Sequence, residues 1–108
     1  MSNYEGKLDE LINNCYDNII EWVKINPTSV SPGKKGVTTY DKELPEPQIL
    51  KFINYFDGEL TPVTINSIHY IDYDYCGAIY LRGQSMSIPV EEIIDSSICS
   101  LADYINSL

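Results

Sequence analysis

Three residue types in this chain could support catalysis or metal binding: a single histidine, two closely spaced aspartates and three cysteines. His69 is the only imidazole, so a Cys–His or Ser–His mechanism would have to use it as the general base. Asp72 and Asp74 alternate onto one face of a predicted strand, where two carboxylates could hold Mg²⁺ or Ca²⁺. The further oxygen ligands and the glycine of a calcium-binding loop are missing around them. We therefore expect no metal, no cofactor and no catalytic residues, and a protein that is not an enzyme.

A glycine-flanked lysine pair, Gly33-Lys34-Lys35-Gly36, superficially resembles a phosphate-binding loop. It lacks the first glycine at the required spacing, the Ser or Thr after the lysine, and a preceding strand. A solvated turn is the simpler interpretation.

The cysteines, Cys15, Cys76 and Cys99, are odd in number and too widely spaced for a paired metal motif. We interpret them as free and mostly buried thiols of a reducing compartment. The first residues carry no secretory signal, and no apolar run approaches the ~20 residues that a membrane span requires. We therefore expect a cytoplasmic protein.

The run Ile71-Asp72-Tyr73-Asp74-Tyr75 lies in a stretch without positive charge between Lys51 and Arg82, in a chain of net charge −9. Tyrosine supplies a large amphipathic ring, and carboxylates supply charge-assisted hydrogen bonds to Arg and Lys. An acidic field repels nucleic acid and anionic membrane but attracts basic proteins. The run therefore favours a basic protein as partner, rather than nucleic acid or membrane. Alternatively, the charge only keeps the protein soluble and the aspartates solvate the outer face of a strand.

The hydrophobic pattern predicts one domain, residues 1–108, with helices at both ends. An amphipathic helix is expected over 3–25, and 26–46 should be an irregular loop or a short hairpin. A second helix is expected to begin at Pro47 and to place Phe52 and Phe56 in the core. Short strands follow near 68–75, 78–81 and 85–88, and a helical stripe runs from Val90 to Leu108. The fold class is therefore α+β, with amphipathic helices at both ends packed on a small antiparallel sheet of about three strands.

The order of local patterns resembles SUKH-type immunity proteins over residues 43–108. Glu43-Leu44-Pro45, the expected helix and then Asp57-Gly58 are similar to the Leu-Pro, helix and Asn-Gly element of that family, with Asp57 in place of Asn. Residues 77–81 (Gly-Ala-Ile-Tyr-Leu) resemble its Gly-x-Val-Tyr-Leu strand, and residues 100–108 resemble its closing helix. The resemblance implies an α+β domain that binds a toxin and blocks it. Acidic immunity proteins of contact-dependent growth inhibition are similar in composition and role.

These observations lead to the hypothesis of a bacterial immunity protein that binds a basic toxin domain, such as a nuclease, and neutralises it by occlusion. One alternative is a phage- or plasmid-encoded DNA-mimic inhibitor of the anti-restriction or anti-CRISPR kind. Another is a small enzyme that uses His69 with Cys76 or Asp72. The residues expected to bind the toxin are Asp72, Tyr73, Asp74, Tyr75, Glu43, Glu46, Asp57 and Glu59.

Overall fold

The structure, a computed structural model, describes the backbone of residues 2–74 and 76–108 and the side chains of residues 9–74 and 76–108. Two helices enclose five strands in chain order: α1 (Ser2–Lys24), β1 (Ser29–Pro32), β2 (Val37–Ile53), β3 (Leu60–Tyr73), β4 (Gly77–Arg82), β5 (Ser87–Pro89), a 3-10 turn (Val90–Glu92) and α2 (Asp95–Asn106). The strands form one antiparallel sheet in the order β1-β2-β3-β4-β5. The α+β class and the terminal helices are confirmed, but the sheet has five strands rather than about three.

The second helix expected from Pro47 to Phe56 is wrong, because this segment continues β2. Its residues pair with β3 from Gln48 opposite Ile65 to Ile53 opposite Leu60. Both helical and strand periods fit a short apolar run such as this, so periodicity alone could not decide between them. Pairing with β3 favours the strand over the helix, because every second residue of β2 forms backbone hydrogen bonds to β3 along the hairpin.

A large bulge interrupts the β2–β3 hairpin at its middle. Glu43 lies opposite Ser67 and Gln48 lies opposite Ile65, so four residues of β2 face the single residue Asn66. The inward-facing residues of β3 change parity at this point, from Val63 and Ile65 to Ile68 and Tyr70. Leu44, at the start of the bulge, is buried and keeps the core continuous across the irregularity.

Both helices pack on the same face of the sheet. Apolar side chains at three- and four-residue steps on α1 and α2 meet inward-facing side chains of β2 to β5. The completely or almost completely buried members of this core are Ile19, Val23, Leu50, Ile65, Ile68, Leu81, Ile98 and Leu101. Among the described residues the core contains no buried polar or charged side chain. The opposite face of the sheet carries no helix of the described chain.

The connection between α1 and the sheet is a hairpin rather than a loop, with β1 paired to β2 from Ser29 opposite Asp41 to Pro32 opposite Thr38. Residues 33–36 form its turn, where Gly36 adopts a positive φ of 82°. The hairpin carries Lys42 to the end of α1. There its Nζ donates hydrogen bonds to the carbonyl oxygens of Trp22 and Ile25, at the carboxyl end of the helix.

Besides the edge strands β1 and β5, part of β3 has an open edge. In the described chain, β4 pairs with β3 only from Ser67 to Asp72, so Leu60–Asn66 has β2 on one side and no strand on the other. Asn54 N–H donates to the Glu59 carbonyl, which fixes the alternation of hydrogen-bonding directions along the hairpin. By this alternation Pro62 directs its imide nitrogen to the open edge, where it offers no donor.

Candidate protein-binding surface

The predicted Tyr/Asp run lies at one end of the sheet. Asp72 and Tyr73 end β3 opposite Thr38 and Val37, and Asp74 follows in the connection to β4. Tyr75, which was also predicted to bind, lies outside the described residues. Alternation places Asp72 on the helical face and Tyr73 on the open face, so the two side chains do not point to the same side of the sheet.

Lysines that are distant in sequence surround this run. Lys24 Nζ lies 3.5 Å from Asp72 Oδ2, and both side chains are partly exposed. Lys34 and Lys35 line a cleft of about 470 Å3 together with Asp72, Tyr73 and Asp74. The stretch that lacks cations along the chain is therefore close to three cations in space, which reduces the negative potential available to a basic partner.

Glu43 and Glu46 lie at the bulge of β2, with exposed side chains. Their backbone N–H groups are held by hydroxyl oxygens: Glu43 donates to Thr28 Oγ1 at 3.0 Å, and Glu46 donates to Tyr104 Oη at 3.2 Å. These bonds fix the backbone of the bulge against the β1 connection and against α2. The two carboxylates therefore occupy the middle of the molecule rather than the end that carries Asp72.

Asp57 and Glu59 lie at the far end of the hairpin, in the turn between β2 and β3. The 14-residue strand β3 separates this turn from Tyr73. At ~3.3 Å per residue the separation is roughly 40 Å, close to the longest dimension of the molecule, 41 Å. The seven predicted binding residues that the structure describes therefore do not form one surface. Tyr73, beside Asp72 and Asp74, is 41% exposed, but the most exposed aromatic rings accompany Asp57 and Glu59.

Those rings belong to the β2–β3 turn itself. Phe56 is fully exposed and Tyr55 is 80% exposed. A network of short-range hydrogen bonds fixes the turn: Gly58 N–H donates to the Asn54 carbonyl at 2.7 Å, and Phe56 N–H donates to Asn54 Oδ1 at 2.9 Å. The two rings are thus presented on an ordered backbone, which lowers the entropy lost on binding.

The carboxylate of Asp57 completes this network. Its Oδ1 accepts the Glu59 N–H at 2.9 Å, while Gly58 between them takes the positive φ of 71° that ends the turn. We name residues 54–59 the hairpin tip. Sequence reasoning missed it because the expected helix placed Phe56 inside the core. The available signal was Asp57-Gly58 between two apolar runs, a typical hairpin turn.

Further apolar side chains extend the exposed area from the tip. Ile49, 70% exposed, and Ile53 project from β2, and Leu60 from β3, on the face that no helix covers. Beside the tip a groove of about 410 Å3 is lined by residues of β2, the tip and β5, together with Met86 of the β4–β5 turn and Glu92 of the 3-10 turn. A contiguous exposed apolar area of this kind typically marks an interaction site in a small protein.

Negative charge is concentrated in the helical layer. Helix α1 contains five acidic and two basic side chains, α2 contains two acidic and no basic ones, and the 3-10 turn before α2 adds Glu91 and Glu92. Residues 24–82, which include strands β1 to β4, contain seven acidic and six basic side chains. Ile94 N–H donates to the Lys51 carbonyl at 3.0 Å, so the acidic start of α2 adjoins the same hairpin that carries the tip.

The open face of the sheet contains a polar cluster around Asp41. Its Oδ1 lies 2.8 Å from His69 Nδ1 and 3.3 Å from Arg82 Nη1, and the Tyr80 ring packs beside the imidazole. Asp72 projects from the other face of the same strand, so the pairing of His69 with Asp72 considered from the sequence is not formed. The arrangement fixes the imidazole between a carboxylate and a ring and supplies no neighbouring nucleophile among the hydrogen bonds of the described residues.

Burial displaces the pKa of several groups that pack against the core. It raises the pKa of the Cys15 thiol to about 12, and neighbouring Cys99 adds to this effect. Burial also raises the pKa of Tyr16 and of Tyr70, with a further contribution from the carboxylates of Asp95 and Asp72 respectively. These groups stabilise the packing of the helices on the sheet and lie away from the hairpin tip.

Within the described residues, no group of three or more His, Cys, Asp or Glu side chains has an arrangement suited to a metal ion. None of the described helices combines the length and the apolar composition needed to cross a membrane. Comparison with known proteins gives no match: no family model fits the chain, and neither a curated protein nor a solved structure is significantly similar to it.

Proposed function

We propose that this protein is an immunity-type inhibitor that binds a basic toxin domain through the hairpin tip and blocks it by occlusion. The single observation that carries the proposal is the exposure of Tyr55 and Phe56 on a hydrogen-bonded turn that also presents Asp57 and Glu59. Aromatic anchors surrounded by polar groups are the typical energetic centre of a protein interface.

Phe56 is the main anchor of the proposed contact. Burying an exposed phenylalanine side chain in a partner's pocket contributes about 1.5–3 kcal/mol. The backbone of the turn is already held by hydrogen bonds, so little of this is lost to fixing it. Asp57 and Glu59 then provide charge-assisted hydrogen bonds to Arg or Lys at the rim of that pocket, which gives orientation and selectivity.

The acidic helical layer supports a basic partner. The carboxylates of the two helices repel nucleic acid and favour approach to a surface of positive potential. Nucleases carry such a surface, since they must hold phosphate groups. A nuclease toxin is therefore the partner class that fits both the charge of the helices and the apolar anchors of the tip.

A DNA-mimic inhibitor is the second candidate, favoured by the same concentration of carboxylates on two neighbouring helices. It differs in the predicted contact surface. A DNA mimic would use the helical carboxylates as its main contact and would depend strongly on salt. An anchor-based complex would depend mainly on the apolar residues of the tip.

The experiment is co-expression with the toxin domain encoded next to this gene, followed by calorimetric titration of the purified pair. Wild-type protein should restore growth and bind the toxin domain. Phe56→Ala and Tyr55→Ala should each weaken binding at least tenfold, whereas the control Tyr73→Ala, at the opposite end of the sheet, should change it less than twofold. A loss confined to Tyr73→Ala would move the site to the Tyr/Asp run. A wild-type protein that neither binds nor protects would overturn the proposal.

A further inference from the structure

The groove beside the hairpin tip is a second recognition element. Phe52 and Ile53 form its wall on β2, Met86 of the β4–β5 turn and Ile88 of β5 form the opposite wall, and Phe56 lies at its edge. Ile53 and Met86 are each about half exposed, so much of this lining contacts solvent in the free protein. At about 410 Å3 the groove falls near the lower end of the roughly 300–1,000 Å3 typical of ligand sites. That size suits a short extended segment and excludes a whole helix.

The acidic side chains around the groove determine which kind of partner segment is electrostatically complementary to it. Glu92 lines the groove, and Asp57 and Glu59 lie in the neighbouring turn. A second copy of this chain, with net charge −9, would bring like charges together at the contact. An anionic lipid surface would be repelled in the same way. The groove is complementary to an apolar side chain flanked by cations.

We propose that the groove receives an apolar side chain from an extended segment of the basic partner, with Lys or Arg on either side of it. This inference rests on the proposed function and adds a second contact to it. Phe56 enters the partner while the partner's side chain enters the groove, so the two anchors are reciprocal. Glu92 receives one of the flanking cations, and the carboxylates of the tip receive the other.

Met86 suits this role because its unbranched side chain can adapt to different apolar shapes. It lies at the end of the β4–β5 turn, where its carbonyl accepts the Gly83 N–H at 2.9 Å. The backbone of the wall is therefore held while the side chain remains free to adjust. Substitution of Met86 changes the groove without touching the tip or the buried core.

The first test uses three tripeptide probes, acetyl-Lys-Leu-Lys-amide, acetyl-Lys-Gly-Lys-amide and acetyl-Glu-Leu-Glu-amide, titrated into the methyl-labelled full chain by NMR. Only the first should shift the methyl signals of Ile53, Met86 and Ile88. Met86→Lys should weaken this binding at least tenfold, and the control Met86→Leu should preserve it within twofold. Equal shifts with all three probes, or shifts confined to the helical layer, would overturn the inference.

A second test separates this inference from the proposed function. If Met86→Lys binds the toxin domain as tightly as wild type while Phe56→Ala does not, the groove plays no part and the proposed function stands. If the Lys-Leu-Lys probe binds the groove but no toxin domain is bound or neutralised, the proposed function is wrong, while the groove is still a binding site for an apolar side chain flanked by cations. Sedimentation provides a third outcome: a wild-type dimer that Met86→Lys dissociates would make a second copy the occupant and overturn the inference.

Discussion

Lys42 lies against Trp22 at the carboxyl end of α1. Its Nζ donates a hydrogen bond to the Trp22 carbonyl oxygen at 2.8 Å and lies 4.1 Å from the centre of the indole ring. A cation at this position satisfies helix carbonyls and complements the negative end of the helix dipole. Burial lowers the pKa of Lys42, while the hydrogen bonds and the indole ring are attractive contacts for its ammonium group. One strand residue thus joins β2 to the end of α1.

We predict that Lys42→Met lowers the free energy of unfolding by about 2 kcal/mol, because hydrogen bonds to a charged group are worth roughly 1.5–3 kcal/mol. The measurement is urea denaturation at neutral pH, followed by circular dichroism. Lys51→Met is the matched control, since Lys51 is exposed on the same strand, and it should change stability by less than about 0.5 kcal/mol. Equal effects of the two substitutions would mean that Lys42 does not cap the helix.

The two phenylalanines of the hairpin should differ in their effect on stability. Phe52 packs against the core and Phe56 is fully exposed. Phe52→Ala is expected to reduce the free energy of unfolding by about 2–3 kcal/mol, somewhat less than for a completely buried ring. Phe56→Ala should leave it within about 0.5 kcal/mol of wild type. A large loss of stability on Phe56→Ala would show that the ring is packed in solution and would remove it as a binding anchor.

Gly77 allows the close approach of the Tyr70 ring. A Cβ at position 77 would lie 2.6 Å from Tyr70 Cε1, and Tyr70 is itself buried and stacked on Tyr40. Gly77→Ala should therefore destabilise the protein by about 1–3 kcal/mol through overpacking. In Gly33→Ala the added Cβ would meet only ordinary contacts, so this control should be close to neutral in a thermal unfolding assay. Similar melting temperatures for the two variants would contradict the predicted clash.

Stability should decrease in alkaline solution because of Cys15. Its pKa is raised from 9.0 to about 12 in the folded protein. Below pH 9 both states keep the proton, and the thiol contributes no pH dependence. Between pH 9 and 12 the unfolded chain loses its proton first, and the free energy of unfolding falls by about 1.4 kcal/mol per pH unit for that proton. The raised pKa of Tyr70 acts in the same direction above pH 10.

The measurement for this prediction is a series of urea titrations between pH 7 and 11. Cys15→Ala should flatten the slope above pH 9, whatever its effect at pH 7. Cys76→Ala, which removes an exposed thiol, should leave the slope unchanged. The lowered pKa of Lys42 acts with the opposite sign below pH 10.5 in all three proteins, so it cancels when slopes are compared. An unchanged slope in Cys15→Ala would contradict the assignment.

Local patterns were enough to predict the terminal helices and the strands after Gly77. The stripe of α1 falls on Cys15, Ile19 and Val23, which are all buried. Helix α2 begins at Asp95, at the break expected from the Asp95-Ser96-Ser97 segment, and this acidic residue in its first turn complements the helix dipole. These elements depend on neighbours three or four residues apart, and sequence periodicity reports such neighbours directly.

The β2–β3 hairpin could not be predicted in this way. Pairing of Val37 with Tyr73 joins residues that are far apart in the chain, and the bulge at Leu44 changes the alternation that a strand prediction relies on. The incorrect helix prediction also led to an incorrect location for the candidate binding site. With a helix over 47–56, Phe56 was assigned to the core, and the carboxylates Asp57 and Glu59 lost the aromatic rings that accompany them.

The distribution of charge over the surface could be predicted only in part, again because it depends on contacts between distant residues. Counting along the chain places the acidity after residue 37, whereas the fold brings the last 26 residues beside α1 and surrounds Asp72 with lysines. Counting charges along the sequence cannot show which lysines lie close to a given carboxylate in the folded protein. Lys24 and Asp72 are 48 positions apart, and only the closure of the sheet on α1 brings them together.

Pro62 affects the tendency of this protein to aggregate through the open edge of β3. Exposed apolar side chains next to an unpaired strand edge favour edge-to-edge strand pairing between copies and the formation of fibrils. An approaching backbone needs a donor near the middle of the unpaired rim of β3, and the imide of Pro62 cannot provide one. Pro62 therefore disfavours edge-to-edge pairing of two copies along this segment of β3.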